Sequence, residues 1–90
     1  MGTEPAALRR RLFGLLAATA PGMSRAHAFE IEALIDTDAF RDALDATVGS
    51  LDDGGTPVDQ RALSTIDALA AALGLTDSIA GGRARLAARR

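Results

Sequence analysis

Two apolar series follow one another in the middle of the chain, each with the spacing of three or four residues that marks one buried face of an α-helix. The first series is Phe40, Leu44, Val48 and Leu51, and the second is Leu63, Ile66, Leu69, Ala70 and Leu73. Between them, residues 52–57 contain two glycines and a proline, which suit a turn and cannot continue a helix. The sequence therefore predicts a helical hairpin, with Gly74 placed to end its second helix.

Further helix signals lie on the N-terminal side of this hairpin. Thr3 is the expected N-cap of a first helix, followed by an acid and a proline that suit its first turn, and this helix should end before Pro21. Ser24 is placed to cap a second helix, and the third should begin at residue 36 or 37. Asp59 is the expected cap of the fourth helix, and no alternating pattern indicates a strand.

The composition agrees with an all-α fold. Alanine and leucine, both strong helix formers, supply much of the hydrophobic content, and 90 residues suit one small domain. We expect a single-domain bundle of about four helices over residues 1–79. Residues 80–90 contain two glycines, four arginines and one large apolar residue, which predicts a flexible Arg-rich tail.

Charge is distributed unevenly along the chain. Residues 29–80 contain eleven carboxylates and two arginines, a formal charge of −9, whereas the rest of the chain carries +7. The net charge of −2 therefore combines two opposed fields, and a field of one sign can steer a partner of the other.

The acidic positions concentrate around the predicted second and third helices. Phe29 points away from the apolar stripe of the second helix and has Glu30 and Glu32 on its flanks, an arrangement that suits an apolar anchor with a charged rim. An equally simple expectation is that Phe29 packs against the first helix or the tail. The predicted partner-binding residues are Phe29, Glu30, Glu32, Asp38, Asp42, Asp45, Asp52 and Asp53.

No constellation of catalytic, cofactor-binding or metal-ligating residues is visible. Without cysteine there is no thiolate nucleophile, and the one histidine, His27, falls on an apolar stripe where a core or boundary role is expected. The loop that begins at Asp52 lacks the ligand spacing of a calcium loop. Asp77-Ser78 is followed by too few residues for an acyl carrier domain. We therefore predict no enzyme activity, no cofactor and no metal.

Two other uses of the chain stay open. Arginine clusters at residues 9–11 and 83–90 could contact nucleic acid phosphates, although aromatic residues are not interleaved with them. Alternatively, the apolar faces of the first and second helices could pair with another copy in an adaptor or dimerisation module. The nine-residue apolar run that follows the first arginine cluster is too short for a membrane span, and we favour a helix over a signal peptide there. The expected location is the cytoplasm.

The run from Ile31 to Leu75 resembles the MafI family, small immunity proteins that accompany secreted polymorphic toxins of bacteria. The shared features are an apolar pair that ends a helix (Leu34-Ile35), a short acidic turn, an Ala-Leu pair in the next helix, a polar loop with Pro57-Val58 and a closing Leu-Gly-Leu. Members of the family often have Gly-Glu where this chain has Thr37-Asp38. The resemblance implies an all-helical, non-enzymatic protein that binds and blocks a cognate toxin. Its acidic helical surface would then meet a basic toxin domain, such as a nuclease.

Overall fold

The computed structural model describes residues 4–89, and all regular structure in this range is helical. The five α-helices are α1 (Pro5–Thr19), α2 (Arg25–Asp36), α3 (Phe40–Gly54), α4 (Gln60–Leu73) and α5 (Ala80–Ala88). A 3₁₀ turn at Ala20–Gly22 follows α1. The all-α prediction is confirmed, with five helices instead of about four. In the described range, no helix is long and apolar enough to cross a membrane.

Several predicted helix ends are confirmed by their hydrogen bonds. The Ser24 side chain accepts a bond from the backbone N–H of His27 at 3.1 Å, and that of Asp59 accepts one from Ala62 at 2.8 Å. These bonds satisfy N–H groups that the first turn of a helix leaves unpaired. Gly74 has φ +70° after the last residue of α4, a left-handed conformation that glycine adopts without strain. The N-cap of α1 is Glu4 and not the predicted Thr3, which lies outside the described residues.

The limits of α3 differ from those predicted. The helix begins at Phe40 and not at residue 36 or 37, because residues 37–39 form the turn that closes α2. The Ala39 N–H donates to the carbonyl of Leu34, five residues earlier, at 2.9 Å. A backbone bond that spans five residues is typical of a helix that ends at a left-handed residue. At its other end α3 continues through Asp52 and Asp53 to Gly54, so these aspartates lie in the last helical turn and not in a loop.

Helix α3 lies at the centre of the fold and contacts all four other helices. Its buried face carries the predicted apolar series, together with Ala43 and Thr47. The Thr47 hydroxyl donates to the carbonyl of Ala43 at 2.7 Å, so this buried polar group has a partner. The large side chains that are almost completely buried are Leu12, Ile31, Ile35, Leu44, Leu51, Leu63, Ile66, Leu69 and Leu86.

Most of the segment predicted as a flexible tail, residues 80–90, forms helix α5, which packs on α3 and α4; residue 90 lies outside the described range. Its one large apolar residue, Leu86, is fully buried. A Cβ atom at Gly82 would lie 2.9 Å from Cγ1 of Val48, so the glycine allows the backbone of α5 to approach α3 closely. A single leucine and a close backbone contact help to dock this segment, which its composition did not indicate.

Candidate protein-binding site

Phe29 is the exposed large hydrophobic residue of the described chain, with 73% of its surface open to solvent. Helix α2 turns Ile31 and Ile35 into the core, and successive residues are roughly 100° apart around the helix axis, so Phe29 points outward. Ala26 and Ala33, three residues before and four after it, are also exposed. The structure therefore leaves Phe29 uncovered by α1 or by α5, on an outer stripe with small neighbours.

Two carboxylates border this stripe. Glu30 and Glu32 are exposed and lie on opposite sides of Phe29 around the helix. In the described chain neither carboxylate forms an ion pair with an arginine. The predicted surroundings of Phe29, an aromatic ring between acidic side chains, are therefore present on α2.

A second group of carboxylates runs along the outer side of α3. Asp42, Asp45 and Asp53 are exposed, and with Gly49 they have the spacing of three, four and four residues that aligns side chains along one helix face. Within residues 4–89 no arginine pairs with any of these three aspartates. We call Phe29, Glu30, Glu32, Asp42, Asp45 and Asp53 the acidic face.

The hairpin of α2 and α3 brings the two parts of the acidic face onto neighbouring helices. The helices contact each other and are joined by a three-residue turn. A depression of about 370 Å³ at one end of the hairpin is lined by Ser24 and His27 from the start of α2 and by Ser50 and Asp53 from the end of α3. His27 is exposed at this edge, whereas its position on an apolar stripe predicted a more covered location.

Asp52, which was also predicted as a partner-binding residue, is engaged within the chain. Its two carboxylate oxygens accept bonds from Nε of Arg85 and from the Arg89 guanidinium, each at 2.8 Å. Only 14% of its side chain is exposed. The hydrogen bond from Arg85 is the main reason that the pKa of Asp52 lies below its ordinary value, with both arginine charges adding to the effect. This aspartate anchors α5 to α3 and contributes little to an open surface.

Asp38 is a second residue whose surroundings differ from those predicted. It lies in the turn between α2 and α3, with φ +60°, so it does not continue the aspartate series of α3. Its carboxylate pairs with the guanidinium of Arg9 on α1. Both side chains are about half exposed, and such a pair adds only modestly to stability.

The arginines of α5 are largely occupied by carboxylates of the same chain. Arg83 donates two bonds to Asp67 on α4, at 2.8 and 2.7 Å. These hydrogen bonds are the main cause that lowers the pKa of Asp67 and raises that of Arg83. Since Arg85 and Arg89 hold Asp52, three arginines of the predicted nucleic-acid cluster are used in intramolecular pairs.

Other arginines are left without such partners. Among the described residues, Arg10, Arg11, Arg25, Arg41 and Arg61 pair with no carboxylate. Three of these are on α1 and α4, whereas the unpaired acids of the acidic face are on α2 and α3. Arg25 on α2 and Arg41 on α3 are exceptions to this division. The fold therefore keeps the arginines of α1 and α4 apart from the carboxylates of the acidic face. In the same range, no three His, Cys, Asp or Glu side chains are arranged to hold a metal ion.

Comparison of the chain with known proteins identified no relative. No protein-family model matches the chain, and neither the curated proteins nor the solved structures yield a significant match.

Proposed function

We propose that this chain is a non-enzymatic binding protein that neutralises a cognate toxin by docking its acidic face on a basic surface of that toxin. The observation that carries the proposal is Phe29, exposed in a surround of unpaired carboxylates. Phenylalanine is among the residue types most often fully buried, and aromatic side chains are enriched in the cores of protein interfaces.

Apolar and charged groups of the acidic face would act at different stages of binding. Covering the exposed part of Phe29 is worth about 2–3 kcal/mol, which slows dissociation. Asp42, Asp45 and Asp53 would attract a basic partner at long range, which accelerates association in a salt-dependent way. Asp38 and Asp52 leave the predicted set of contacts, since the chain's own arginines hold them.

The charge of the face also favours a foreign partner over a symmetric dimer. In a two-fold contact, each surface patch meets the same patch of the other copy. The acids around Phe29 would then face the same acids. The apolar faces of α1 and α2, which were the alternative dimer surface, bury their large side chains inside the chain. A partner with positive charge at the matching positions meets neither obstacle.

The toxin as partner class comes from the resemblance of residues 31–75 to MafI immunity proteins. A nuclease must attract phosphates to its active site, and the resulting basic surface is complementary to the acidic face. Occupying that surface would block the substrate without any chemistry on the side of the inhibitor.

Co-expression with the toxin domain encoded beside this gene tests the proposal directly. We expect a neighbouring gene for a secreted protein with a variable C-terminal domain, and we expect this chain to restore growth when that domain is expressed. The Phe29→Ala and Asp42→Lys/Asp45→Lys variants should lose protection. Asp77→Lys is the control for charge reversal, because Asp77 is exposed in the turn before α5 and is not part of the acidic face.

Binding kinetics separate the two contributions. With the purified toxin domain, Asp42→Lys/Asp45→Lys should slow association and flatten its salt dependence, whereas Phe29→Ala should mainly accelerate dissociation. Full protection by both variants would remove the acidic face from the mechanism, and a neighbouring domain that does not bind the wild-type chain would refute the immunity function.

A further inference from the structure

A groove runs along the outside of the molecule between α1 and α4. It encloses about 480 Å³ and follows the C-terminal half of α1 and the N-terminal half of α4. Small residues form much of its lining, among them Gly14 and Ala18 on α1 and Ala68 on α4. A Cβ atom placed on Gly14 would meet nothing within 4 Å, so the groove is open at this point.

The groove carries positive charge. Arg11 and Arg61 lie on its lining, and in the described part of the chain neither forms an ion pair with a carboxylate. Asp59 also borders the groove, but its carboxylate caps α4 by accepting the Ala62 N–H at 2.8 Å. The positive end of the helix dipole offsets the negative charge of this cap.

We propose that this groove receives the exposed face of α2 from a second copy of the chain. In this head-to-tail contact Phe29 of one copy inserts between α1 and α4 of the next, and Glu30, Glu32 and Asp36 approach Arg11 and Arg61. The apolar side chain thus enters a groove whose lining is mostly apolar by area, while the acids on its flanks meet the arginines.

Charge complementarity selects this occupant among possible self-contacts. The carboxylates of the acidic face lie on α2 and α3 and the groove arginines on α1 and α4, so only a contact between unlike patches pairs these two groups. Arg25, at the start of α2, is the exception, because it brings a positive charge toward the groove. A substitution that reverses the charge of Arg25 therefore tests the geometry of the contact.

The contact is small. One helix face in one groove covers less than the roughly 1,200 Å² of total area that stable complexes reach, so association should be weak and concentration-dependent. Because a head-to-tail contact leaves a free face and a free groove at the ends, it propagates beyond a dimer. Insofar as this self-contact covers Phe29 and competes with the toxin, it rests on the proposed function. The experiment below uses the chain alone, so the two proposals can fail independently.

Sedimentation equilibrium measures the self-contact. From about 10 µM to about 1 mM protein at low salt, the average mass of the wild type should rise steadily. It should fall back toward the monomer at about 0.5 M NaCl, where charges are screened. A wild type that stays monomeric throughout this range at low salt would overturn the proposal.

Two variants test the two halves of the contact. Phe29→Glu removes the inserted side chain, and Gly14→Leu fills the groove where the structure offers room. Each should be monomeric alone, and an equal mixture should form a dimer that grows no further, since it contains one intact face and one intact groove. Gly49→Leu, another exposed helical glycine with nothing within 4 Å, is the matched control and should associate like the wild type. A mixture that stays monomeric would refute the head-to-tail geometry.

Arg25→Glu distinguishes this contact from a two-fold α2 dimer. In the head-to-tail contact, the substitution replaces a charge that the groove arginines repel by one that they attract. Association should therefore strengthen several-fold. In an antiparallel α2 pair, Arg25 would lie near Glu32 and Asp36 of the other copy, and the same substitution would weaken association. Weaker association of Arg25→Glu would therefore overturn the proposal.

Discussion

The two sides of α3 use aspartate in opposite ways. On the side that meets α5, Asp52 is mostly covered and accepts hydrogen bonds from Arg85 and Arg89. On the outer side, Asp42 and Asp45 are exposed and, in the described chain, unpaired with arginine. A carboxylate with a partner in the same chain helps to hold the fold. Closely spaced carboxylates without such partners cost a little stability and stay available to another molecule.

Leu86→Ala should have the largest effect on stability. Leu86 is fully buried where α5 meets the core, and truncating such a leucine costs about 2–5 kcal/mol. Phe29→Ala on the acidic face should change the free energy of unfolding by no more than about 0.5 kcal/mol. Urea unfolding measures both, and an unchanged midpoint for Leu86→Ala would contradict the docking of α5.

Substitutions of two glycines test the same two sides of α3, the side that meets α5 and the outer side. Gly82→Ala would place a methyl group 2.9 Å from Val48, and crowding of this kind costs about 1–3 kcal/mol, offset in part by better helix propensity. Gly49→Ala on the outer side of α3 meets nothing within 4 Å and should stabilise the chain by about 0.5–1 kcal/mol. Thermal unfolding of the two variants should therefore shift in opposite directions. Equal shifts would mean that α5 does not press on Val48.

Low pH should reduce the stability that α5 gains from its pairing with Asp52. Because Arg85 and Arg89 lower the pKa of Asp52 in the folded chain, its pairing contributes stability above the unfolded pKa near 3.8, and this contribution is lost as pH falls through the lower folded pKa. Asp52→Asn should be less stable than the wild type at pH 7, and the difference should shrink below about pH 4. Unfolding midpoints measured between about pH 2 and pH 7 give this profile, with Asp42→Asn as the control. A constant difference across the range would show that the pairing does not contribute.

The smallest effects are expected at Asp38, which is paired yet about half exposed. Asp38→Asn removes the charge pair with Arg9 and should destabilise by about 0.2–1 kcal/mol. Asp38→Gly also relieves the left-handed backbone at φ +60°, and should be more stable than Asp38→Asn by up to about 1 kcal/mol. Chemical denaturation of the two variants isolates the backbone strain, and an Asn variant at least as stable as the Gly variant would argue against it.

The sequence by itself determined the helical class, most helix ends and the inward residues of α3 and α4. These features depend on local rules, namely the 3.6-residue period and the capping preferences of Ser24, Asp59 and Gly74. The outward direction of Phe29 on α2 also followed from the period. Whether another helix would cover it did not follow, since that depends on how distant segments pack.

Only the tertiary structure decided which acids are open and which are engaged. Asp52 and its partners are 33 and 37 residues apart, and Asp38 and Arg9 are 29 residues apart, so no local pattern links them. Helix α5 also depends on contacts with distant segments. One buried leucine and a glycine contact with Val48 help to stabilise this helix, although its own composition is unfavourable. Helix periodicity acts within a few residues, whereas charge pairing and burial depend on segments that meet only when the chain is folded.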